Sequence, residues 1–214
     1  MNSHTIILNQ EQKIYTDENI SCAKNYDIVI QSSWEYACCL VSHDATVQVM
    51  IHSDVPDIKL TIVCINYATQ DKPVQLSLDA QTNNDNVQVD VTLLSLAGKW
   101  SFIDIQWGIT MPSWVQKTQW YLLEDTILLD PSARVKVLPK LDIHACDVKA
   151  SHGAKIHAIN DTELFYMQAK WLSLATSKKL YIQWYIQNLF DKIPWLDPDF
   201  VQHQHDTITK TLTL

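Results

Sequence analysis

Residues 128–167 read Leu-Leu-Asp-Pro-Ser-Ala-Arg-Val-Lys-Val-Leu-Pro-Lys-Leu-Asp-Ile-His-Ala-Cys-Asp-Val-Lys-Ala-Ser-His-Gly-Ala-Lys-Ile-His-Ala-Ile-Asn-Asp-Thr-Glu-Leu-Phe-Tyr-Met. Strand-like alternation, polar corners and a helix start follow one another here. Val135 and Val137 share one strand face, as do Leu141 and Ile143, while Arg134, Lys136, Asp142 and His144 face the other way. Pro139 lacks an N–H, so the chain is expected to turn a corner between two short strands at that point. Ser151-His152-Gly153 reads as a turn, with Ile156 and Ile159 as a further apolar rung. Asn160 followed by Glu163 has capping-box spacing ahead of Leu164, Phe165 and Met167, which starts a helix.

Upstream, the chain is a succession of short segments rich in β-branched and aromatic residues: 6–8, 28–30, 37–41, 47–51, 60–65, 74–78, 87–94 and 100–107. Val47, Val49 and Ile51 alternate with Gln48, Met50 and His52, and Val87, Val89 and Val91 with Gln88 and Asp90. Such one-sided strands suit a sandwich or a solenoid. Only three glycines are present, Gly98, Gly108 and Gly153, and none follows Asn or Asp, so two-residue hairpins are scarce. Polar corners at residues 43–45, 82–86 and 131–133 recur at irregular spacing, as the corners of a β-helix do. The residues alone leave both architectures open.

Four words in order, Leu-Leu-Asp-Pro-Ser-Ala-Arg-Val (128–135), Pro-Lys-Leu-Asp-Ile (139–143), Asp-Val-Lys-Ala-Ser-His-Gly-Ala (147–154) and Glu-Leu-Phe-Tyr (163–166), resemble the core of the SufB/SufD family, scaffold proteins of SUF-system iron–sulfur cluster assembly. The resemblance runs from about Gln119 to Phe190 and implies a mainly β fold, a right-handed parallel β-helix followed by helices. The expected organisation is a β-helix core over residues 1–160, a helical segment over 161–191 and a tail over 192–214. Without the amino-terminal helical domain of full-length members, the chain reads as a shortened core.

The resemblance also implies a site. In the SufD branch a histidine stands in the Ser-His-Gly word near the subunit interface, which makes His152 the candidate cofactor-binding and metal-ligating residue; a neutral imidazole is a competent iron ligand. Ala133 occupies the position of a SufB cysteine, and Gly153 stands where SufB tends to carry Glu, so the chain is closer to SufD. The cysteine that SufD members often carry two residues before the histidine is Ala150 here. No catalytic residue is expected. A stably bound cofactor is not expected either; a transient cluster shared at a subunit interface is the most that one imidazole supports. Leu164, Phe165, Tyr166, Tyr181, Trp184 and Tyr185 form the expected partner-binding stripe, too broad for packing onto one sheet edge alone. The implied partners are a SufB-like subunit or a second copy, and a SufC-like ATPase. Where the family has an Arg-Gly pair between its helices, this chain has Ala169-Lys170-Trp171, which lacks the helix-stopping glycine.

Length and charge narrow the alternatives. With 214 residues the chain fits one good core. The net charge of −8 offers no basic stripe for a nucleic-acid backbone. Five cysteines with no paired framework suit a reducing compartment, and no apolar run approaches membrane-spanning length, so a cytoplasmic protein is expected. Cys146 is a subsidiary thiol candidate. His203 and His205 in the tail could share a metal from one strand face, and Trp107, Trp114 and Trp120 could form a sugar-stacking platform. Those features define the other readings, a solenoid or cupin-like metal- or carbohydrate-active protein, or a degenerate SufBD paralogue retaining only its assembly surface.

Overall fold

The computed structural model describes residues 2–53, 55–69, 73–193 and 195–212. Among the described residues, twelve strands alternate between two parallel six-stranded sheets. One sheet has the order β1 (Asn2–Leu8), β3 (Lys24–Ile30), β5 (Val47–Ser53), β7 (Pro73–Thr82), β9 (Phe102–Met111), β11 (Arg134–Ile143). The other runs β12 (Val148–Ala158), β10 (Thr118–Leu128), β8 (Val87–Ala97), β6 (Ile58–Ala68), β4 (Glu35–His43), β2 (Ile14–Ile20). Each strand thus pairs with the strand two places along the chain, the arrangement of a parallel β-helix. The solenoid begins with β1, which contains the segment 6–8.

Alternation is what closes the coils. Val47, Val49 and Ile51 point inward while Gln48 and Met50 point out, and Val87, Val89 and Val91 repeat this opposite Gln88 and Asp90. One continuous apolar core, including Leu8, Ile28, Leu40, Leu60, Leu78, Ile105, Trp107 and Trp120, fills the space between the sheets. Trp107 and Trp120 are therefore core residues and Trp114 stands alone at an exposed corner, which removes the sugar-stacking platform.

Corners are made with side chains in place of glycine. Asp44, Asp57, Asn86, Trp100 and Lys117 all have positive φ, between 46° and 60°. Asp and Asn tolerate this region because their short polar groups bond locally. The bonds run from coil to coil: Asp44 accepts from the Thr69 N–H and hydroxyl at 2.7 Å each, Asp85 from the Gln116 N–H at 2.7 Å, and Asp57 from the Asn86 amide. Gly98 is needed at its corner, since a Cβ there would meet the Ala68 carbonyl oxygen at 2.7 Å.

Three helices follow: α1 (Asp161–Gln168), α2 (Leu174–Phe190) and α3 (Pro198–Thr211). Asn160 caps α1 by accepting from the Thr162 N–H at 2.9 Å, and Ser173 caps α2 through the Thr176 N–H at 3.1 Å. They lie on the outer face of the second sheet. Cys39, Val41, Val63, Ile65, Leu94, Leu96 and Ile127 pack there against Leu164, Ile182, Ile186, Phe190, Ile208 and Leu212. This explains why β6 and β8 alternate over their first half and are buried on both faces over their second.

Two expectations are corrected. The tail expected over residues 192–214 contains a helix: Asp197 caps α3 and Pro198 opens it, and the helix buries Gln204, His205 and Ile208. His205 bonds Gln187 at 2.9 Å, whereas His203 is exposed; a two-residue spacing on a helix turns the two rings to opposite sides, so they cannot share a metal. Pro194 lies outside the described residues. The second correction concerns Pro139, which does not end a strand. β11 runs through it, because β11 has a neighbour on one side only and a proline on an edge strand need not forfeit a ladder bond.

Candidate functional site

The last coil, β11 and β12, is the open end of the solenoid. Both strands sit at the edge of their sheets, so each leaves one row of backbone N–H and C=O groups unpaired by a neighbouring strand. Their inward apolar residues are covered on one side only. Val135, Val137, Ile143, Val148 and Ala150 are partly buried against the core, while Leu138, Leu141 and Ile156 are exposed. Lys136, Lys140, Lys149 and Lys155 stand among them, charges that discourage indiscriminate edge pairing.

Ser151-His152-Gly153 is not a turn. It lies within β12, where His152 pairs in register with Leu122 of β10. Since Leu122 belongs to the core between the sheets, the register points the imidazole inward at the open end. Its ring meets Trp107 of β9 edge-on, with centroids 5.0 Å apart, while the residue as a whole remains exposed. A strand thus holds His152 more rigidly than a corner would. The neighbouring positions Ala133 and Ala150 supply no thiolate, and among the described residues no group of three or more His, Cys, Asp or Glu side chains is placed to hold a metal ion. His144 pairs with Asp142 at 2.9 Å.

All five cysteines are free. Cys38, Cys39 and Cys64 are buried, and burial pushes each thiol up, that of Cys64 to about 12, which disfavours the thiolate needed for metal or sulfur chemistry. Cys22 and Cys146 are exposed.

Beside the last coil lies the α1–α2 face. Phe165, Tyr166 and Trp184 are 72%, 65% and 60% exposed. A groove of about 540 Å³ between the helices is lined by Tyr166, Met167, Leu180, Tyr181 and Trp184. Leu164 and Tyr181 are buried beneath this surface in the contact with the β-helix, so the expected stripe divides into supporting and displayed residues. Tyr185 is half-buried and receives the Lys155 ammonium at 3.3 Å; His157, below it, pairs with Asp125 at 2.9 Å. That network ties α2 to β10 and β12. The missing glycine is replaced by Trp171, which takes φ 68° in the turn.

A parallel β-helix followed by helices is the architecture that the SufB/SufD resemblance implies. A family model described as SUF system FeS cluster assembly, SufBD core domain, matches residues 108–183. Over this stretch the chain is similar to the SufB/SufD family. Similar proteins include the chloroplastic protein ABCI7 of Arabidopsis thaliana, 27% identical over 152 residues, which is 71% of this chain and 31% of the relative. The iron–sulfur cluster assembly SufBD family protein slr0076 of Synechocystis is 31% identical over 86 residues, 40% of this chain and 19% of its own length. The iron–sulfur cluster assembly protein SufD of Escherichia coli is 32% identical over 66 residues, 31% of this chain and 16% of that protein. The matched stretches thus span about a third of these relatives or less. Among the described residues no helix is long and apolar enough to cross a membrane.

Proposed function

We propose that this chain is a SufD-like, non-enzymatic scaffold subunit in iron–sulfur cluster assembly. It pairs through its last coil with a SufB-like subunit or a second copy, and offers the α1–α2 face to a SufC-like ATPase. One observation carries the reading: the segment matching the SufBD core, residues 108–183, contains both edge strands of the last coil, His152 and the exposed aromatics of α1 and α2. The rest of the solenoid keeps its apolar residues largely inside.

At the last coil, an edge strand from a partner would complete the backbone hydrogen bonding of β11 or β12 and cover Leu138, Leu141 and Ile156. His152 would then lie at the junction and supply one imidazole to a cluster handled as cargo, the other ligands coming from the partner. Ala133 and Gly153 favour the SufD side of the pair. The test is co-purification of the chain with a SufC-like ATPase, wild type against the double variant Phe165→Glu and Trp184→Glu. Loss of the ATPase with unchanged circular dichroism is expected. Undiminished binding refutes the assignment of this face.

A further inference from the structure

Inside the solenoid, alternation puts Ser42, Asn66, Ser95 and Thr126 on the inner face of the second sheet. The register sets them side by side, Ser42 next to Asn66, Asn66 next to Ser95 and Ser95 next to Thr126. All four are buried. Glu124, two residues before Thr126 on the same face, is 0% exposed. A line of polar side chains therefore crosses β4, β6, β8 and β10 within a largely apolar core.

Its internal bonding is incomplete. Ser42 Oγ donates to Asn66 Oδ1 at 3.1 Å, and Thr126 Oγ1 donates to Glu124 Oε1. Asn66 Nδ2, Ser95 Oγ and Glu124 Oε2 are buried without a protein hydrogen-bond partner, and so is Trp107 Nε1 in the facing sheet. Native proteins leave few such atoms unsatisfied, and four inside the solenoid would forfeit a large share of a domain's net stability. The chemistry of the set identifies its partner. Two N–H donors, a hydroxyl and a carboxyl oxygen together require a guest that both donates and accepts, which water does; the N–H groups oppose a cation and the carboxyl opposes an anion. Ser95 and Thr126 are also smaller than Leu93 and Leu128, the inward leucines two residues away on the same strands.

We propose that the Ser42–Asn66–Ser95–Thr126 row, with Glu124 and Trp107, is an internal hydration site holding ordered water that leads to the open last coil. The next positions along the two rows are Ile156, beside Thr126, and Ala154, beside Glu124, and both are exposed. His152 stands at this mouth with its ring against Trp107. The space behind His152 is thus polar and water-filled rather than dry, whichever partner the last coil takes.

The sign of one substitution tests this. Ser95→Ala removes the hydroxyl with almost no change in volume. In a hydrated row the water loses a partner, and the thermal midpoint is expected to fall by about 2–4 °C. In a dry row the substitution removes an unsatisfied group, so an unchanged or raised midpoint overturns the proposal. Oxygen-17 relaxation dispersion on the wild type supplies a second reading: long-residence internal water is expected and should diminish in Ser95→Val, whose larger side chain fills the site. A wild type without such water also overturns it.

Discussion

Replacing Glu124 by Gln should change how stability depends on pH. Glu124 lies on the inner face of β10 between Leu93 and Ala154. Burial raises its carboxyl from 4.5 to about 7; the Thr126 hydroxyl opposes the rise and Asp125 adds to it. The other titratable groups nearby are His152 of β12 and Cys64 of β6, both facing the interior. Between those two values the folded chain keeps a proton that the unfolded chain has lost. The stability contributed by this group is therefore complete below 4.5 and lost as pH rises through about 7. At 1.36 kcal/mol per unit the whole swing is at most about 3 kcal/mol, of which about 2 kcal/mol falls between about pH 5 and about pH 8. Urea unfolding of wild type and Glu124→Gln at about pH 5 and about pH 8 isolates the effect, because all other groups are common to both. The variant should gain about 2 kcal/mol on the wild type across that interval. Parallel pH profiles, or a wild type that gains on the variant, would refute the reasoning.

Trp171 holds φ 68° and is 98% exposed, so Trp171→Gly relieves left-handed strain and loses no core packing. Its thermal midpoint should rise by about 2–4 °C, corresponding to about 1 kcal/mol; a fall would place the ring in a stabilising contact. Trp184→Glu alone should leave the midpoint within about 2 °C of wild type, since the side chain is largely exposed, yet weaken capture of the ATPase. A large loss of stability would make the residue structural.

What could be read from sequence was whatever one residue and its near neighbours decide. The alternation of residues 47–51 and 87–91 marked inward faces, and the Asn160 cap placed the start of α1. β10 escaped notice because Glu124 and Thr126 occupy inward positions, where an apolar residue would have completed the alternation. The same polar interior is what the hydration site rests on. The Pro139 and Ser151-His152-Gly153 readings failed for a related reason. Proline and glycine disfavour strands in isolation, yet β9 and β10 hold the two segments in register over ten and eleven residues, and tertiary pairing overrides that preference. Asp197-Pro198 was a legible start for α3, a capping residue followed by proline at the first helical position, but the helix buries Gln204, His205 and Thr209 on the face where apolar residues would have announced it. His152 was identified through its surrounding words. Its contact with Trp107 joins residues far apart in sequence, and only the coil geometry brings them together.

The central claim, that this chain contributes one imidazole to a cluster completed by a partner, is tested most directly by anaerobic reconstitution with iron and sulfide, followed by gel filtration and metal and sulfide analysis. The isolated chain should retain no stoichiometric cluster. The assembled complex should accumulate one, and His152→Ala should lower that amount while its folding and partner binding stay intact, since the exposed ring contributes little packing. A stoichiometric cluster on the isolated wild-type chain, or undiminished accumulation on the His152→Ala complex, would contradict the account.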